Sequence, residues 1–358
     1  MRPVSEAELA EIVAAASGPL VVRGGGTRAL GSVEGDVLET GGLAGVRLYE
    51  PAALTLVVGA GTTMAELDRV LAGERQRLGF EVPDLRGLLG RRGMSTIGGV
   101  VAVNASGPRR VQGGACRDAL LGVRFVDGTG AVVKNGGRVM KNVTGYDLVK
   151  LMAGAHGTLG VLSEVSLKVQ AVPEAEASLV IDGLEDEQGL AVLRRALGSP
   201  FDISGAARVA GRSAIRVEGM AGSVAYRMEQ LRALCGAGEV LEGEASATLW
   251  RDVRDVKAFA EVEGEVWRLA LVPSSAAGVV AALGAQAVYD WGGGLVWLLM
   301  PARQGEAVRA AVAGRGHAIL MRGAGAAFAP EGAAVAALAA GLRAKFDPRG
   351  ILNRGIMG

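Results

Sequence analysis

The chain has 358 residues, with 38 basic and 37 acidic side chains and a formal net charge of +1, which argues against a basic surface for nucleic acid. Its two cysteines and two histidines are too few for a disulfide framework or a histidine-rich metal centre. No stretch resembles a signal peptide or reaches the ~18 apolar residues of a membrane span, so we expect a cytoplasmic protein without a direct membrane span.

The first predicted elements lead into a run of three glycines. Ser5 and Glu8 have the spacing of a capping box, which predicts a helix from this point to about residue 16. An apolar strand over residues 20–23 then runs directly into G-G-G at residues 24–26. The spacing also matches a dinucleotide fingerprint, but the following residues lack the helical periodicity which that motif requires. The run is therefore either a plain turn or a phosphate-contacting loop between strands.

A second glycine-rich segment, at residues 94–107, reads M-S-T-I-G-G-V-V-A-V-N-A-S-G. Its adjacent Gly98 and Gly99 allow a backbone to approach a ligand closely, with N–H groups that can face a phosphate. Since an ordinary turn uses a glycine pair in the same way, this segment alone leaves both interpretations open. Around it we predict strands over residues 37–40, 46–49 and 54–59, a helix over 63–71, a hairpin over 120–134, a helix over 146–152 and a strand over 161–169.

The pattern changes after Pro173, where we predict a domain boundary. The following segments read as strand, helix, strand, strand, helix, strand, which is the order of a ferredoxin-like unit. After a linking helix over residues 247–259, the same order recurs. The predicted fold class is therefore α+β, with a first domain over residues 1–173, a cap of two ferredoxin-like βαββαβ units over 174–329, and a C-terminal helix and tail over 330–358 that return to the first domain.

Several motifs occur together in the first half of the chain. They read V-R-G-G-G-T, S-T-I-G-G-V-V-A-V-N-A-S-G-P-R-R, C-R-D-A-L-L-G-V, M-K-N-V-T-G-Y-D-L-V-K-L and G-T-L-G-V-L-S-E-V-S-L-K-V, in that order. This combination resembles the two-part FAD-binding domain of the vanillyl-alcohol oxidase family, the type shared with p-cresol methylhydroxylase. In the second half, D-W-G-G-G-L-V-W-L and F-D-P-R-G-I-L-N are similar to the FAD-binding E subunits of bacterial glycolate oxidases. The resemblance covers nearly the whole chain.

The resemblance implies that the two glycine segments hold the FAD pyrophosphate through main-chain N–H groups, and that later turns line the rest of the cofactor. The residues so implied are Arg23, Gly24, Gly25, Gly26, Thr27, Thr96, Ile97, Gly98, Gly99, Asn104, Ser106, Gly107, Gly157, Gly160 and Val161. Arg109, Arg110, Arg117 and Asp118 match the polar run of the motif and are interpreted first as structural pairs, with direct ligand contact as the alternative.

Two departures from the family pattern concern the attachment of the flavin. Many relatives carry a histidine after the triple glycine that bonds covalently to FAD, whereas this chain has Thr27. We therefore expect non-covalent FAD. Cys116 lies in the wrong motif for a cysteine linkage and is expected to be a small core residue.

The branch resemblance implies oxidation of glycolate or a similar (R)-2-hydroxyacid. The implied partners are a D-type FAD catalytic subunit and an iron–sulfur subunit, through which any attachment to the inner membrane surface would be made. This oxidation requires a base for the hydroxyl proton and a cation for the carboxylate. Arg268 and Arg322 in predicted cap strands, together with Trp291, are the candidate catalytic residues. Their alternative interpretation is an interface charge and a core aromatic.

No clear base accompanies these candidates. His156 lies in a glycine loop and His317 opens a predicted strand, and both are poor candidates for a catalytic base. The chain also lacks the histidine-rich metal motif of the D-type subunits, so no metal site is expected. A second hypothesis therefore stands beside the first, namely a non-catalytic FAD-bearing scaffold that depends on a D-type partner. A stand-alone aldonolactone or alditol oxidase is a weaker third, because those relatives usually attach FAD covalently.

Overall fold

The protein is described here by a computed structural model that covers residues 1–31, 33–138 and 145–357. Its helices are α1 (Glu6–Ala15), α2 (Met64–Ala72), α3 (Arg86–Leu89), α4 (Ile97–Ala102), α5 (Arg110–Gly113), α6 (Cys116–Ala119), α7 (Leu148–Met152), α8 (Asp186–Leu197), α9 (Ala221–Cys235), α10 (Gly243–Arg254), α11 (Ala276–Leu283), α12 (Gly305–Val312) and α13 (Ala333–Phe346). Its strands are β1 (Leu20–Arg23), β2 (Asp36–Glu39), β3 (Val46–Glu50), β4 (Thr55–Gly59), β5 (Gln76–Leu78), β6 (Leu120–Val126), β7 (Val132–Gly136), β8 (Val161–Ala171), β9 (Ala175–Ile181), β10 (Ile203–Val209), β11 (Arg212–Gly219), β12 (Glu239–Glu242), β13 (Glu265–Leu271), β14 (Gln286–Asp290), β15 (Leu295–Met300) and β16 (Gly316–Arg322).

The centre of the first half is a sheet with the order β3-β4-β8-β6-β7, to which β5 adds by pairing with β8. The long strand β8 is antiparallel to both β4 and β6. Because this strand is central in the sheet, its polar Ser166 is buried as well as its apolar residues. Leu56, Phe125 and Val165 belong to the apolar core under this sheet.

The N-terminus and the C-terminal tail meet beside this sheet. The parallel strands β1 and β2 pack with α1 over a small core that includes Leu352. Leu20 of β1 also forms a parallel bridge with Leu352. Arg349 donates hydrogen bonds to the carbonyls of Ala14 and Ala16 at 3.1 Å, which fastens the tail to the end of α1.

The second half forms an eight-stranded sheet with the order β12-β9-β11-β10-β14-β15-β13-β16. Each group of four strands comes from one strand-helix-strand-strand-helix-strand segment of the chain. The two groups join where Arg208 of β10 faces Tyr289 of β14. Helices α8, α9, α11 and α12 supply the apolar residues that cover this sheet, with Leu193, Leu231 and Val308 among them.

A buried network of ion pairs connects the two halves. Arg109, after the second glycine-rich segment, donates from Nε to Glu218 of β11 at 2.9 Å. Arg216, on the same strand, pairs with Glu81 of the first half at 2.9 Å, and Arg77 pairs with Glu218 at 2.7 Å. Buried charges are tolerated when each carboxylate has several donors, as here. This agrees with the interpretation of Arg109 as a structural pair.

The predicted elements are nearly all present, but the structure also contains short elements that the sequence did not predict, namely β5, α3, α4, α5 and α6. Residues 97–102 form the short helix α4, which the sequence left as a turn or a loop. The predicted linking helix over 247–259 ends at Arg254, where an aspartate and a left-handed Val256 interrupt it. The predicted motif that begins at Met140 lies outside the described residues as far as residue 144. None of the described helices combines the length and apolarity needed to cross a membrane.

Candidate functional site

The triple glycine forms a loop that leaves β1 and packs against residues 94–96. A side chain at Gly25 would place its Cβ 1.7 Å from the carbonyl oxygen of Met94, and one at Gly24 would lie 2.3 Å from Oγ1 of Thr96. Only glycine fits this close approach. In the described part of the chain, no group accepts a hydrogen bond from the N–H groups of residues 24–27. Four consecutive main-chain donors are thus available for a ligand.

This loop lines a cleft of about 350 Å³. The charged side chains that line it are Arg23, Arg28 and Arg91, and the described residues contribute no acidic side chain to its wall. A cleft with free N–H groups and three guanidinium groups suits an anionic ligand such as a dinucleotide pyrophosphate. The cleft therefore fits the FAD that the motifs imply.

The two glycines of the pair differ in position, since only Gly99 lines the cleft whereas both line a small cavity that adjoins it. Thr96 is the N-cap residue of α4, and its Oγ1 accepts a hydrogen bond from the Gly99 N–H at 3.4 Å. The N–H groups of Ile97 and Gly98, however, donate to the carbonyls of Thr62 and Ala60 at 2.9 and 2.8 Å. These two amides are committed within the protein, which corrects the prediction that they hold the pyrophosphate.

The polar turn after α4 is also held internally. The side-chain oxygen of Asn104 accepts a hydrogen bond from the Arg117 N–H, and Ser106 Oγ accepts one from Cys116 N–H at 3.1 Å. Gly107 donates its N–H to the carbonyl of Glu81 at 2.9 Å. Asn104, Ser106 and Gly107 lie beyond Ala102 and Val103, which line the cleft, and do not line it themselves. Cys116 is fully buried, as expected for a small core residue.

Residues just before β8 and residues of the C-terminal tail close the other side of the cleft. Gly157 and Gly160 line the small cavity of about 60 Å³ that adjoins it, whereas Val161 is buried in β8. Asn353 lines both spaces, accepts the Val22 N–H at 2.7 Å and donates to the carbonyl of His156 at 2.7 Å. The sequence analysis missed Asn353, although it ends the F-D-P-R-G-I-L-N motif.

His156 lies between these closing residues in a strained conformation. Its φ is +52°, and its ring meets Phe328 edge-on at a centroid distance of 5.2 Å. Burial lowers the pKa of His156 to about 4, so the ring is neutral near pH 7. The neutral histidine, packed edge-on against Phe328, lines the cleft without bringing a charge to it. His317 opens β16 as predicted, and burial lowers its pKa as well.

Trp291 makes the contact between the second half and the polar turn. Its indole Nε1 donates to the carbonyl of Gly107 at 3.1 Å. The guanidinium of Arg110 lies 4.7 Å from the Trp291 ring centroid, and that of Arg268 lies 5.6 Å from it. In the described part of the chain, neither guanidinium has a hydrogen-bond acceptor. The structure thus brings Arg268 and Trp291 together beside Gly107.

Asp290, which the sequence analysis did not single out, lies behind this cluster. It is buried, and its Oδ1 accepts the Trp291 N–H at 2.7 Å. Burial raises the pKa of Asp290 to about 7, despite the favourable charge of Arg268. Burial and the neighbouring Arg110 lower the pKa of Arg268 to about 10. The cluster therefore combines two unpaired cations with one carboxyl that titrates near neutral pH.

Arg322 does not join this cluster. Its Nε donates to the carbonyl of Gly264 at 3.2 Å, and its Nη1 donates to the carbonyls of Leu88 and Phe259 at 2.9 and 3.0 Å. A further carbonyl, that of Val262, accepts from Nη2. The donors of Arg322 are thus occupied by main-chain carbonyls, and the structure does not bring this residue together with Arg268 and Trp291 as the sequence predicts.

Comparisons with known proteins agree with these features. Residues 1–136 match the model of a family described as FAD binding domain. The glycolate oxidase subunit GlcE of Escherichia coli (strain K12) is 34% identical over 342 residues, which cover 95% of this chain and 92% of that protein. The glycolate oxidase subunit GlcD of Bacillus subtilis (strain 168) is 34% identical over 171 residues, or 45% of this chain and 34% of that protein. A solved alkyldihydroxyacetonephosphate synthase aligns with 99% of this chain and 76% of its own, at a TM-score of 0.70 and 15% identity, a likeness that concerns the fold alone.

Proposed function

This chain belongs to the family of FAD-linked oxidoreductases that includes the glycolate oxidase subunit GlcE, and we propose that it is the FAD-binding subunit of a glycolate oxidase or dehydrogenase complex. In this proposal the complex oxidises glycolate or a similar (R)-2-hydroxyacid to the 2-oxoacid. A D-type FAD subunit and an iron–sulfur subunit are its partners, and the iron–sulfur subunit receives the electrons. The chain is cytoplasmic and reaches the inner membrane surface through those partners.

The domain organisation proposed with this function is the one that the sequence suggests. Residues 1–173 form the FAD-binding domain, residues 174–329 form a cap of two ferredoxin-like units, and residues 330–358 return to the first domain. The strand order of the eight-stranded sheet supports the cap, because each half follows the order of such a unit. The bridge between Leu20 and Leu352 supports the return of the tail.

The single observation that carries the proposal is the position of Arg268. Its unpaired guanidinium lies over Trp291, whose indole is bonded to Gly107 of the second glycine-rich segment. A guanidinium matches a carboxylate with two parallel hydrogen bonds, which suits a 2-hydroxyacid substrate. Arg110 offers a second cation on the same indole. Together these two groups would bind and orient the carboxylate of a small acid.

The reaction also needs a two-electron acceptor, which FAD supplies when bound, and a group that takes the hydroxyl proton. Asp290 is the candidate for that proton in this cluster, because its pKa of about 7 suits a general base at neutral pH. Asp290 is only 3% exposed, however, and its Oδ1 already accepts the Trp291 main-chain N–H. This favours the second candidate function, a FAD-bearing scaffold whose D-type partner provides the base.

Anaerobic mixing with glycolate separates the two functions. If the isolated chain loaded with FAD is bleached by glycolate, the scaffold function is excluded. If bleaching requires the D-type partner, the chain shares or lacks catalysis. The role of Arg268 is tested in whichever preparation is bleached.

Arg268→Met should raise the glycolate concentration for half-maximal bleaching by roughly 10- to 100-fold, the effect of losing a charge-assisted hydrogen bond. Arg309→Met is the matched control, since the Arg309 guanidinium lies 5.4 Å from the Trp267 ring in the same sheet, away from Gly107. Equal glycolate dependence in the two variants would remove Arg268 from the site.

A further inference from the structure

Arg28 is a buried cation whose hydrogen-bond acceptors are all neutral. Its side chain follows the glycine loop directly, and the residue is only 9% exposed. Nη1 donates to Oγ1 of Thr27 at 3.2 Å and to Oγ of Ser95, and Nη2 donates to the carbonyl of Pro83. All three acceptors are neutral, and within the described part of the chain no carboxylate forms an ion pair with Arg28.

Two of the five N–H donors of Arg28 have no acceptor among the described residues. They are Nε, which is buried without a partner, and the second hydrogen of Nη2. A buried donor that lacks a partner is costly, and a buried charge without a counter-ion is more so. Burial lowers the pKa of Arg28, and the charges of Asp84 and Asp255 offset only part of this effect. Such an arrangement is expected where a ligand supplies both the acceptor and the negative charge.

The position of Arg28 indicates which ligand this is. It lines the cleft of the glycine loop, together with its acceptor Thr27, and also a second cavity of about 500 Å³, which its acceptors Ser95 and Pro83 line. The second cavity contains acidic side chains, Asp68, Glu81 and Asp84, together with further arginines. The cleft contains no acidic side chain from the described residues, and its free N–H groups at residues 24–27 adjoin Arg28. An anion is therefore favoured on the cleft side.

We propose that Arg28 binds the pyrophosphate of FAD and completes the anion site formed by the N–H groups of the glycine loop. The inference rests on FAD as the cofactor and does not depend on which acid, if any, the chain oxidises. Since Arg28 also bonds Thr27 and Ser95, it ties the two glycine-rich segments together around the phosphate. Loss of the guanidinium should weaken the binding of oxidised FAD, and this effect can be measured without any reaction.

The test measures binding of FAD and of ADP to the full-length chain freed of flavin. ADP carries the pyrophosphate without the flavin ring, so the loss of a pyrophosphate contact must weaken the binding of both ligands. Arg28→Met should raise both dissociation constants by roughly 10- to 100-fold, and Arg28→Lys, which keeps the charge but loses the fork, by a smaller factor. Arg86→Met is the control, because Arg86 lines the second cavity but not the cleft, and its affinities should stay unchanged.

Three outcomes would overturn the proposal. Arg28→Met could bind both ligands as tightly as the wild type, or it could lose affinity for FAD alone, which would place the charge at the flavin. The variant could also keep both affinities and bind glycolate less tightly, which would place the charge in the second cavity. If Arg28→Met fails to fold, as judged by circular dichroism, Arg28→Lys decides, and wild-type ADP affinity in that variant would overturn the pyrophosphate contact.

Discussion

The indole Nε1 of Trp291 donates a hydrogen bond of 3.1 Å to the main-chain carbonyl of Gly107, which joins the second sheet to the turn after α4. Trp291→Phe keeps an aromatic ring between Arg110 and Arg268 but leaves that carbonyl without its donor. A bond of this type contributes about 1 kcal/mol, so glycolate should be needed at roughly fivefold higher concentration for half-maximal flavin reduction in the assembled complex.

Trp250→Phe is the control for this substitution. Trp250 also donates a hydrogen bond, to Ser178 at 2.7 Å, and also stacks with an arginine, Arg216 at 4.7 Å, but it does so within the second half. Its loss should lower stability and leave the glycolate dependence unchanged. If the two variants shift that dependence equally, the contact with Gly107 has no special bearing on substrate.

Glu218→Gln should strongly destabilise the protein. The buried carboxylate accepts from Arg109 and Arg77. Its loss leaves the buried Arg109 and Arg216 to share the single carboxylate of Glu81, at a cost of about 3–5 kcal/mol. The free energy of unfolding in urea at pH 7 measures this. Glu244→Gln, which removes an exposed pair with Arg251, should leave that free energy nearly unchanged.

The Glu218 carboxylate should also make the free energy of unfolding depend on pH. Desolvation alone would raise the pKa of Glu218, but its hydrogen bond to Arg109 and the charges of Arg216 and Arg109 outweigh it and hold the pKa below its ordinary value. Its contribution to stability is therefore complete above about pH 4.3, the ordinary value, and is lost as the pH falls towards the folded value. The wild type should lose stability over that range more steeply than Glu218→Gln. Parallel curves would contradict the prediction.

His156 predicts a pH dependence at a higher range. Its pKa in the folded protein is about 4, below the ordinary 6.5, because of burial, so the unfolded chain binds the proton more tightly. The stability it contributes is present above about pH 6.5 and falls by about 1–3 kcal/mol as the pH approaches 4. His156→Asn should abolish that part of the pH dependence. Asparagine is the suitable replacement, since it tolerates the φ of +52° at this position.

The glycine pair of α4 should respond asymmetrically to alanine. At Gly98 a Cβ would lie 2.7 Å from Ala60 Cβ and 2.8 Å from the Ala60 carbonyl oxygen. Gly98→Ala should therefore lower the free energy of unfolding by about 2 kcal/mol. At Gly99 the nearest atom is Oγ1 of Thr96 at 3.3 Å, and Gly99→Ala should keep its stability. Because Gly99 lines the cleft, its variant should instead bind FAD less tightly. Thermal unfolding and FAD titration of both variants would show whether the effects separate in this way.

Acid precipitation tests the attachment of the flavin. Since Thr27 follows the glycine loop and Cys116 is buried away from the cleft, the yellow colour should pass into the supernatant. Burial also raises the pKa of Cys116, which keeps it a thiol. A coloured pellet would show a covalent link. If that colour vanished in His156→Asn, the link would be to the histidine in the cleft wall.

Most of the longer helices and strands, and the FAD cofactor, could be predicted from local patterns in the sequence. Ser5 caps α1 as predicted, and Thr63 caps α2 at the start of the predicted helix, because a capping hydrogen bond spans only three residues. The motifs, read together, identified the FAD family because each keeps its residues within one short segment. The glycine loop at residues 24–26 was found for the same reason.

Only the tertiary structure decided which groups face the cleft. Gly98 is a glycine because Ala60, far from it in the chain, leaves no space for a Cβ, and sequence cannot distinguish this reason from a phosphate contact. Arg268 and Arg322 both lie in cap strands, yet one guanidinium is unpaired over Trp291 and the other is bound to four carbonyls. Local pattern specifies an element and its buried face, whereas the partners of a long polar side chain are set by segments that come together only on folding.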